Sequence, residues 1–385
     1  MPAAHAAMSV RDAQSAALLL PRFDRELLLE TTAETSANVS IGDVNGDGKL
    51  DLVLAKGRHW PLRNRVLLGA GRGGITASYD LGGAADRTYS GRLVDLDGDG
   101  DLDVVISNDT PDPKRTYIND GRGRFAEGST FGRPEWGTRN AGVADLNGDG
   151  RPDIIVANRG NAGNFVCLNR GGGRFDADCV AFSRDSATTI TPADFNGDGL
   201  IDLAAPHRDR GQSYVYLNDG DASFPVARRI PFGPSDARIR MAEAADLDAD
   251  GLLDIVAIDE ARGVIAYFGQ KDGTFSAGVD IADGTDTPYA MAVHDLNGDG
   301  RIDVVIGHVE AAPAVYVNDG SGRRYIKVTF GDAKGAAYGF AIADIDGDGF
   351  LDIAMARSGA PNVLYFGARP APRSSRTSHN SLTWR

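Results

Sequence analysis

Residues 43–51 read DVNGDGKLD, which places Asp43, Asn45, Asp47 and Asp51 at positions 1, 3, 5 and 9 of a nonamer with glycine at positions 4 and 6. Oxygen donors at alternate positions of a tight turn converge on one hard cation, and glycine permits the bend they need. Calcium takes about six to eight such oxygens in a flexible shell. Leu54 stands at position 12, where an EF-hand loop carries a bidentate glutamate, so this is a different kind of loop. An all-oxygen set also argues against zinc and copper.

The nonamer recurs. Its equivalent positions are Asp95, Asp97, Asp99 and Asp103, then Asp145, Asn147, Asp149 and Asp153, then Asp194, Asn196, Asp198 and Asp202. They continue with Asp246, Asp248, Asp250 and Asp254, Asp295, Asn297, Asp299 and Asp303, and Asp344, Asp346, Asp348 and Asp352. Successive first aspartates are 52, 50, 49, 52, 49 and 49 residues apart, a period that means a repeat architecture. The metal positions hold 24 of the 54 acidic residues, and without them 30 acidic would face 40 basic residues. Seven divalent ions would bring the net charge of −14 to about zero, whereas empty loops hold like charges that repel. Calcium, up to seven ions, is the expected cofactor, with the fifth site weakened because Ala249 replaces the glycine at position 4. No pair of helices is evident for calcium to open, so the ions are expected to hold structure rather than to signal.

The elements that must position these loops are strands. A small-residue alternating segment precedes each loop (YGFAIADI, RNAGVADL), and a β-branched run follows it (LDVVIS, PDIIVA, IDVVIG). A third apolar segment (RTYIND, SYVYLN), a glycine-rich turn and a fourth segment (GRFAEGSTF) complete about 50 residues. Four short strands per repeat describe a propeller blade, so seven loops predict an all-β, seven-bladed β-propeller over residues 21–368. The last repeat stops after NVLYFG without a fourth strand, and PRFDRELLLE near the N-terminus resembles the missing one. Its pairing into the seventh blade would close the ring and remove an open sheet edge.

The repeat resembles the FG-GAP or VCBS repeat of integrin-α-like propellers over nearly the whole chain. That resemblance implies the fold and calcium. It leaves function open, because the family includes adhesion domains, fungal seven-bladed lectins and calcium-loaded polysaccharide lyases.

Composition narrows the rest. The chain has 385 residues, 42% hydrophobic and 24% charged, with 49 glycines that point to turns. Net negative charge disfavours nucleic acid, and no apolar run reaches membrane-spanning length. Cys167 and Cys179 flank a glycine-rich turn, and both a bridge between adjacent strands and two buried thiols stay open. Residues 1–20 read poorly as a secretory signal, since Arg11 and Asp12 interrupt the apolar stretch. Residues 1–20 and the basic tail 369–385 are expected to be disordered. The calcium loops favour an extracellular or periplasmic setting, and a cytoplasmic one stays open. A monomer is expected.

If the aspartate loops join the first and second strands, a ligand is expected on the opposite face near the axis. Five residues past each loop stand Lys56, Asn108, Asn158, His207, Asp259, His308 and Arg357, every one polar. Six residues before each loop stand Ala37, Tyr89, Arg139, Thr188, Arg240, Tyr289 and Tyr338, expected beside the central channel. Nearby loops add Arg58, His59, Trp60, Arg87, Trp136, Arg208, Arg210, Arg238 and Glu310. Arginine with tyrosine, tryptophan and histidine suits a sugar or a small anion, through bidentate contacts and stacking.

Two functions follow. One is a lectin-like binding module for carbohydrate, a small anionic ligand or a protein partner. Because the loop residues differ from blade to blade, one asymmetric site fits better than seven equal ones. The other is an enzyme, a lyase on an acidic sugar or a small-molecule cyclase or isomerase. His207, His308 or one of Tyr89, Tyr289 and Tyr338 would then be the base and Arg139 and Arg240 the anion clamp. The sequence has no nucleophile motif, phosphate loop or cofactor fingerprint.

Overall fold

The computed structural model describes residues 18–176 and 178–372. They form seven antiparallel sheets of four strands each. Blades 1 to 6 occupy residues 36–80, 88–131, 138–183, 191–232, 239–282 and 288–329, each in simple up-and-down order. Blade 7 is built from Ala336–Ala343, Asp352–Ser358, Val363–Pro372 and, outermost, Leu19–Leu28. First strands of successive blades pack side by side in chain order, and the first strand of blade 1 meets that of blade 7, so the ring closes. Among the described residues no helix is long and apolar enough to cross a membrane.

The second strand of each blade explains the cohesion of the ring. Its residues are buried on both faces, which suits its continuous β-branched run. Successive side chains point to opposite faces, so one strand feeds two interfaces. Leu52 and Leu54 pack toward blade 7, whereas Val53 packs toward blade 2. Seven apolar clusters result, one at each blade interface.

The closing strand pairs antiparallel with Val363–Pro372. Its terminal pairs, Leu19↔Pro372 and Leu20↔Ala371, fall outside the expected 21–368 span, because pairing continues along the outer edge and Leu20 packs against the apolar cluster between blades 6 and 7. Residues 1–17 and 373–385 of the expected disordered ends lie outside the described residues. A polar clasp secures the junction. The Leu29 amide donates to the Asn362 carbonyl at 2.8 Å, and Asn362 Nδ2 donates to Glu30 at 2.6 Å. Glu30 in turn pairs with the buried Lys56 ammonium of blade 1, which also meets Glu34 at 2.7 Å. Cys167 and Cys179 are joined by a disulfide, so the bridged alternative holds.

Candidate functional site

The aspartate loops line one face of the ring. Positions 4 and 6 all have positive φ, 58° at Ala249 and 70–94° at the glycines. The first aspartate accepts backbone N–H groups from these positions, as Asp43 does from Gly46 at 2.8 Å and Gly48 at 2.7 Å. In the fifth loop Asp246 keeps the bonds from Asp250 and Gly251 but has none from Ala249. A left-handed alanine makes this the strained copy.

The ninth aspartates carry an architectural role as well. Each is fully buried, and both carboxylate oxygens accept backbone amides at 2.7–3.1 Å. One amide belongs to position 2 of the same loop and the other to the end of the third strand. The carboxylate thus satisfies two donors that burial would otherwise orphan. Burial pushes Asp103, Asp202, Asp254 and Asp352 up to about 6 and Asp303 up to about 7.

Positions 1, 3 and 5 remain for a cation. Their carboxylate oxygens lie within 4.8 Å of one another in Asp95/Asp97/Asp99, Asp246/Asp248/Asp250 and Asp344/Asp346/Asp348. Asp248 Oδ1 and Asp346 Oδ1 are buried without a hydrogen-bond partner. Converging hard oxygens, two of them orphaned, fit a calcium-like cation. The ninth carboxylates keep second lone pairs that could join such a shell.

A further set of residues went unread in the sequence. Asn119 Nδ2 of blade 2 donates to the Val44 carbonyl in the loop of blade 1 at 2.7 Å. Asn169, Asn218 and Asn318 repeat this bond to Leu96, Leu146 and Leu247, each at 2.8 Å. The signal was the Asn of YIND, VCLN, VYLN and YVND, always at the end of the third strand.

A cavity of about 650 Å³ runs along the axis, from the end opposite the aspartate loops to Ala193 and Leu253 beside them. All seven residues six before the loops line it: Ala37, Tyr89, Arg139, Thr188, Arg240, Tyr289 and Tyr338. In six blades the first strand bulges at this residue, for example between Thr88 and Ser90 or Ile239 and Met241. A bulge re-aims one side chain against the two-residue alternation, here toward the axis.

Five of these side chains, joined by Arg58, form a ladder of arginines and tyrosines. The Arg139 guanidinium lies 4.3 Å from the Tyr89 ring centre, Arg58 lies 3.7 Å from that of Tyr338, and Arg240 lies 3.2 Å from that of Tyr289. Tyr338 and Tyr289 meet edge to face, with their hydroxyls 3.0 Å apart. Arg58 occupies a left-handed backbone conformation, φ 54°, uncommon for arginine. Carboxylates steady the ladder from behind. Arg139 pairs with Asp109 at 2.6 Å, and Glu260 holds Arg208 at 2.5 Å and Arg240 at 3.4 Å. Asp109 also reaches His59 Nδ1 at 3.2 Å, and His59 Nε2 lies 2.8 Å from the Tyr89 hydroxyl.

The charges tune the site. Burial, then Arg58 and Arg139, lower His59 against the opposing pull of Asp109. For Tyr289 burial is a raising influence, but Arg240, the hydrogen bond from Tyr338, Arg58 and Arg208 outweigh it and hold the phenol below its ordinary value. Tyr338 moves up, through burial and its bond to Tyr289.

The polar set five residues past the loops does not reach the cavity, which corrects the expectation for Lys56, His207, Asp259, His308 and Arg357. Asn108, Asn158, His308 and Arg357 each bond a carbonyl four or five residues on, at 2.6–2.8 Å, and so staple the turn between second and third strands. Asp259 is buried and accepts the Ala261 amide at 2.9 Å. Lys56 serves the clasp, and the His207 ring packs against Gly211. Alternation gives the reason, because the residues one step further on face the other way. Those are Asp109, Arg159, Arg208 and Glu260. Arg159 and Arg208 line the cavity, and the two acids hold its arginines. Trp60 is 59% exposed beside His59, and Arg238 stands outside the lining, with its carbonyl accepting the Glu260 amide. Arg92 and Glu243, unread in the sequence, line the cavity at mid-depth.

Fold and loops define a seven-bladed propeller with an aspartate loop on every blade. The chain matches the FG-GAP-like repeat in six overlapping segments, 43–106, 95–156, 145–205, 194–257, 246–306 and 295–355, and belongs to that family. No curated protein matches it. Among solved structures it is similar to an Agrocybe aegerita lectin that recognises non-reducing terminal N-acetylglucosamine. There the identity is 22% over 78% of this chain and 80% of that one, with a TM-score of 0.54. It is also similar to BBS1N in complex with ARL6DN, at 12% identity over 91% of this chain and 97% of that one, with TM-scores of 0.58 and 0.61 for mercury- and lead-soaked crystals. At these identities the likeness is one of fold.

Proposed function

We propose that the protein is a lectin-like binding module that takes a carbohydrate, or another small polar anion, in the axial cavity. The carrying observation is the ladder of Arg139, Tyr89, Arg58, Tyr338, Tyr289 and Arg240 around one 650 Å³ cavity in a chain of net charge −14. A guanidinium lying on a ring keeps its edge free for bidentate contact, and the rings themselves are stacking surfaces. The ladder skips blade 4, whose equivalent residue is Thr188, and its members differ from blade to blade, which supports one asymmetric site. That a similarly folded propeller is a lectin agrees with this reading. Calorimetric titration with neutral sugars, uronates and small phosphorylated sugars tests it. Binding that disappears in Arg240→Ala supports the axial site, and no binding by any of these ligands overturns it.

The aspartate loops are proposed to hold calcium, up to seven ions, through positions 1, 3 and 5 with the ninth aspartate as anchor. Bound calcium would neutralise the converging carboxylates of each loop. The disulfide supports an oxidising, extracellular or periplasmic setting.

The depressed Tyr289 phenol favours a second reading, an enzyme at the same site, either a lyase on an acidic sugar or a cyclase or isomerase. Tyr289 would accept the proton while Arg240 and Arg58 balance the developing charge. An unsaturated product formed from acidic polysaccharide by the native protein, but not by Tyr289→Phe, would establish the lyase.

A further inference from the structure

Three residues before each aspartate loop the seven blades carry Ser40, Arg92, Gly142, Thr191, Glu243, Ala292 and Ala341. Two are charged, with opposite signs, in a layer otherwise made of small residues. They belong to blades 2 and 5, as far apart as a seven-membered ring allows. Both line the cavity, and among the described residues neither side chain makes a hydrogen bond or an ion pair. Every other arginine of the lining except Arg58 has a carboxylate partner. A separated pair of unpartnered charges facing one polar space is costly unless something bridges it.

We propose that this waist is a recognition subsite for a sugar acid, in which the Arg92 guanidinium takes the carboxylate and Glu243 accepts hydrogen bonds from ring hydroxyls. The proposal rests on the carbohydrate reading of the cavity and adds the class of sugar and its orientation. Planar guanidinium matches carboxylate bidentately, and a carboxylate is a pure acceptor suited to hydroxyl donors. The waist lies about 10 Å along the inner strand from the Tyr/Arg rim. A saccharide bound at both levels enters end-on, acidic residue first, with its next ring at the stacking ladder. A free amino acid would meet the two waist charges but leave the rim unused.

The test is calorimetry on the full chain with glucuronate, galacturonate and mannuronate, their neutral counterparts, and glycine and alanine. The native protein should prefer at least one uronate over its neutral counterpart by about 10-fold or more, the effect of one charged hydrogen-bonded pair. Arg92→Met should abolish that preference while keeping neutral-sugar binding, and Glu243→Gln should weaken both sugars by severalfold. Melting curves establish that the variants fold, and Arg92→Lys, retaining charge without the fork, should restore part of the preference. Equal affinity for uronate and neutral sugar, or a preference that survives Arg92→Met, overturns the subsite and leaves the binding module standing. Glycine or alanine binding in place of sugars overturns the sugar-acid assignment, and failure of every sugar overturns both readings.

Discussion

The Tyr338 hydroxyl donates to the Tyr289 hydroxyl at 3.0 Å, while the Arg240 guanidinium covers the face of the Tyr289 ring. Blades 5, 6 and 7 each contribute one member of this trio. Tyr289 therefore receives a hydrogen bond and a cation at once, and both favour its phenolate.

Tyr289 should titrate below an ordinary tyrosine. Tyr338→Phe removes the donor and should raise the Tyr289 pKa, and Arg240→Met should raise it further. Ultraviolet difference titration of native and variant proteins reads this directly, and an unchanged first tyrosine transition in both variants would refute the assignment.

Glu243 should make stability depend on pH. Burial raises its pKa from 4.5 to about 7, against the lowering pull of Arg92. A raised folded-state value means that protonation favours the folded chain. This contribution is fully present below about pH 4.5 and lost as pH rises through about 7. Glu243→Gln should therefore be more stable than the native protein at pH 8, by roughly 1–3 kcal/mol, and equal it near pH 4.5. Parallel melting series at the two pH values check the sign.

The third and ninth loop positions should separate metal binding from architecture. Asp303→Asn replaces one of two amide acceptors by an amide donor and should cost about 2–4 kcal/mol with or without chelator. Asp248→Asn should leave chelator-treated protein nearly unchanged and reduce only the stabilisation gained on adding calcium. If chelator does not lower the melting temperature of the native protein, the calcium assignment fails.

Closure of the ring should depend on the clasp. Lys56→Met leaves Glu30 without its buried partner and should destabilise by about 3–5 kcal/mol. Chemical denaturation would measure it, and a loss below about 1 kcal/mol would mean that strand pairing alone holds the ring.

The sequence by itself determined the blades, their number, the aspartate loops and the closing strand. Each is written in a local pattern of about 50 residues that repeats, so seven copies state the same instruction. It also placed Tyr89, Arg139, Arg240, Tyr289 and Tyr338 beside the axis, because equivalent register positions in a ring share one environment. Local pattern could not tell which polar neighbour faces the ligand. His308 and Arg357 turn into their hairpins, whereas Asp109 and Glu260, one register step further along, serve the cavity, and only strand pairing and bulges fix that parity. Nor could it foresee that Arg92 and Glu243 oppose one another. Their relation exists only once the ring closes and brings blades 2 and 5 to the same depth across one axis.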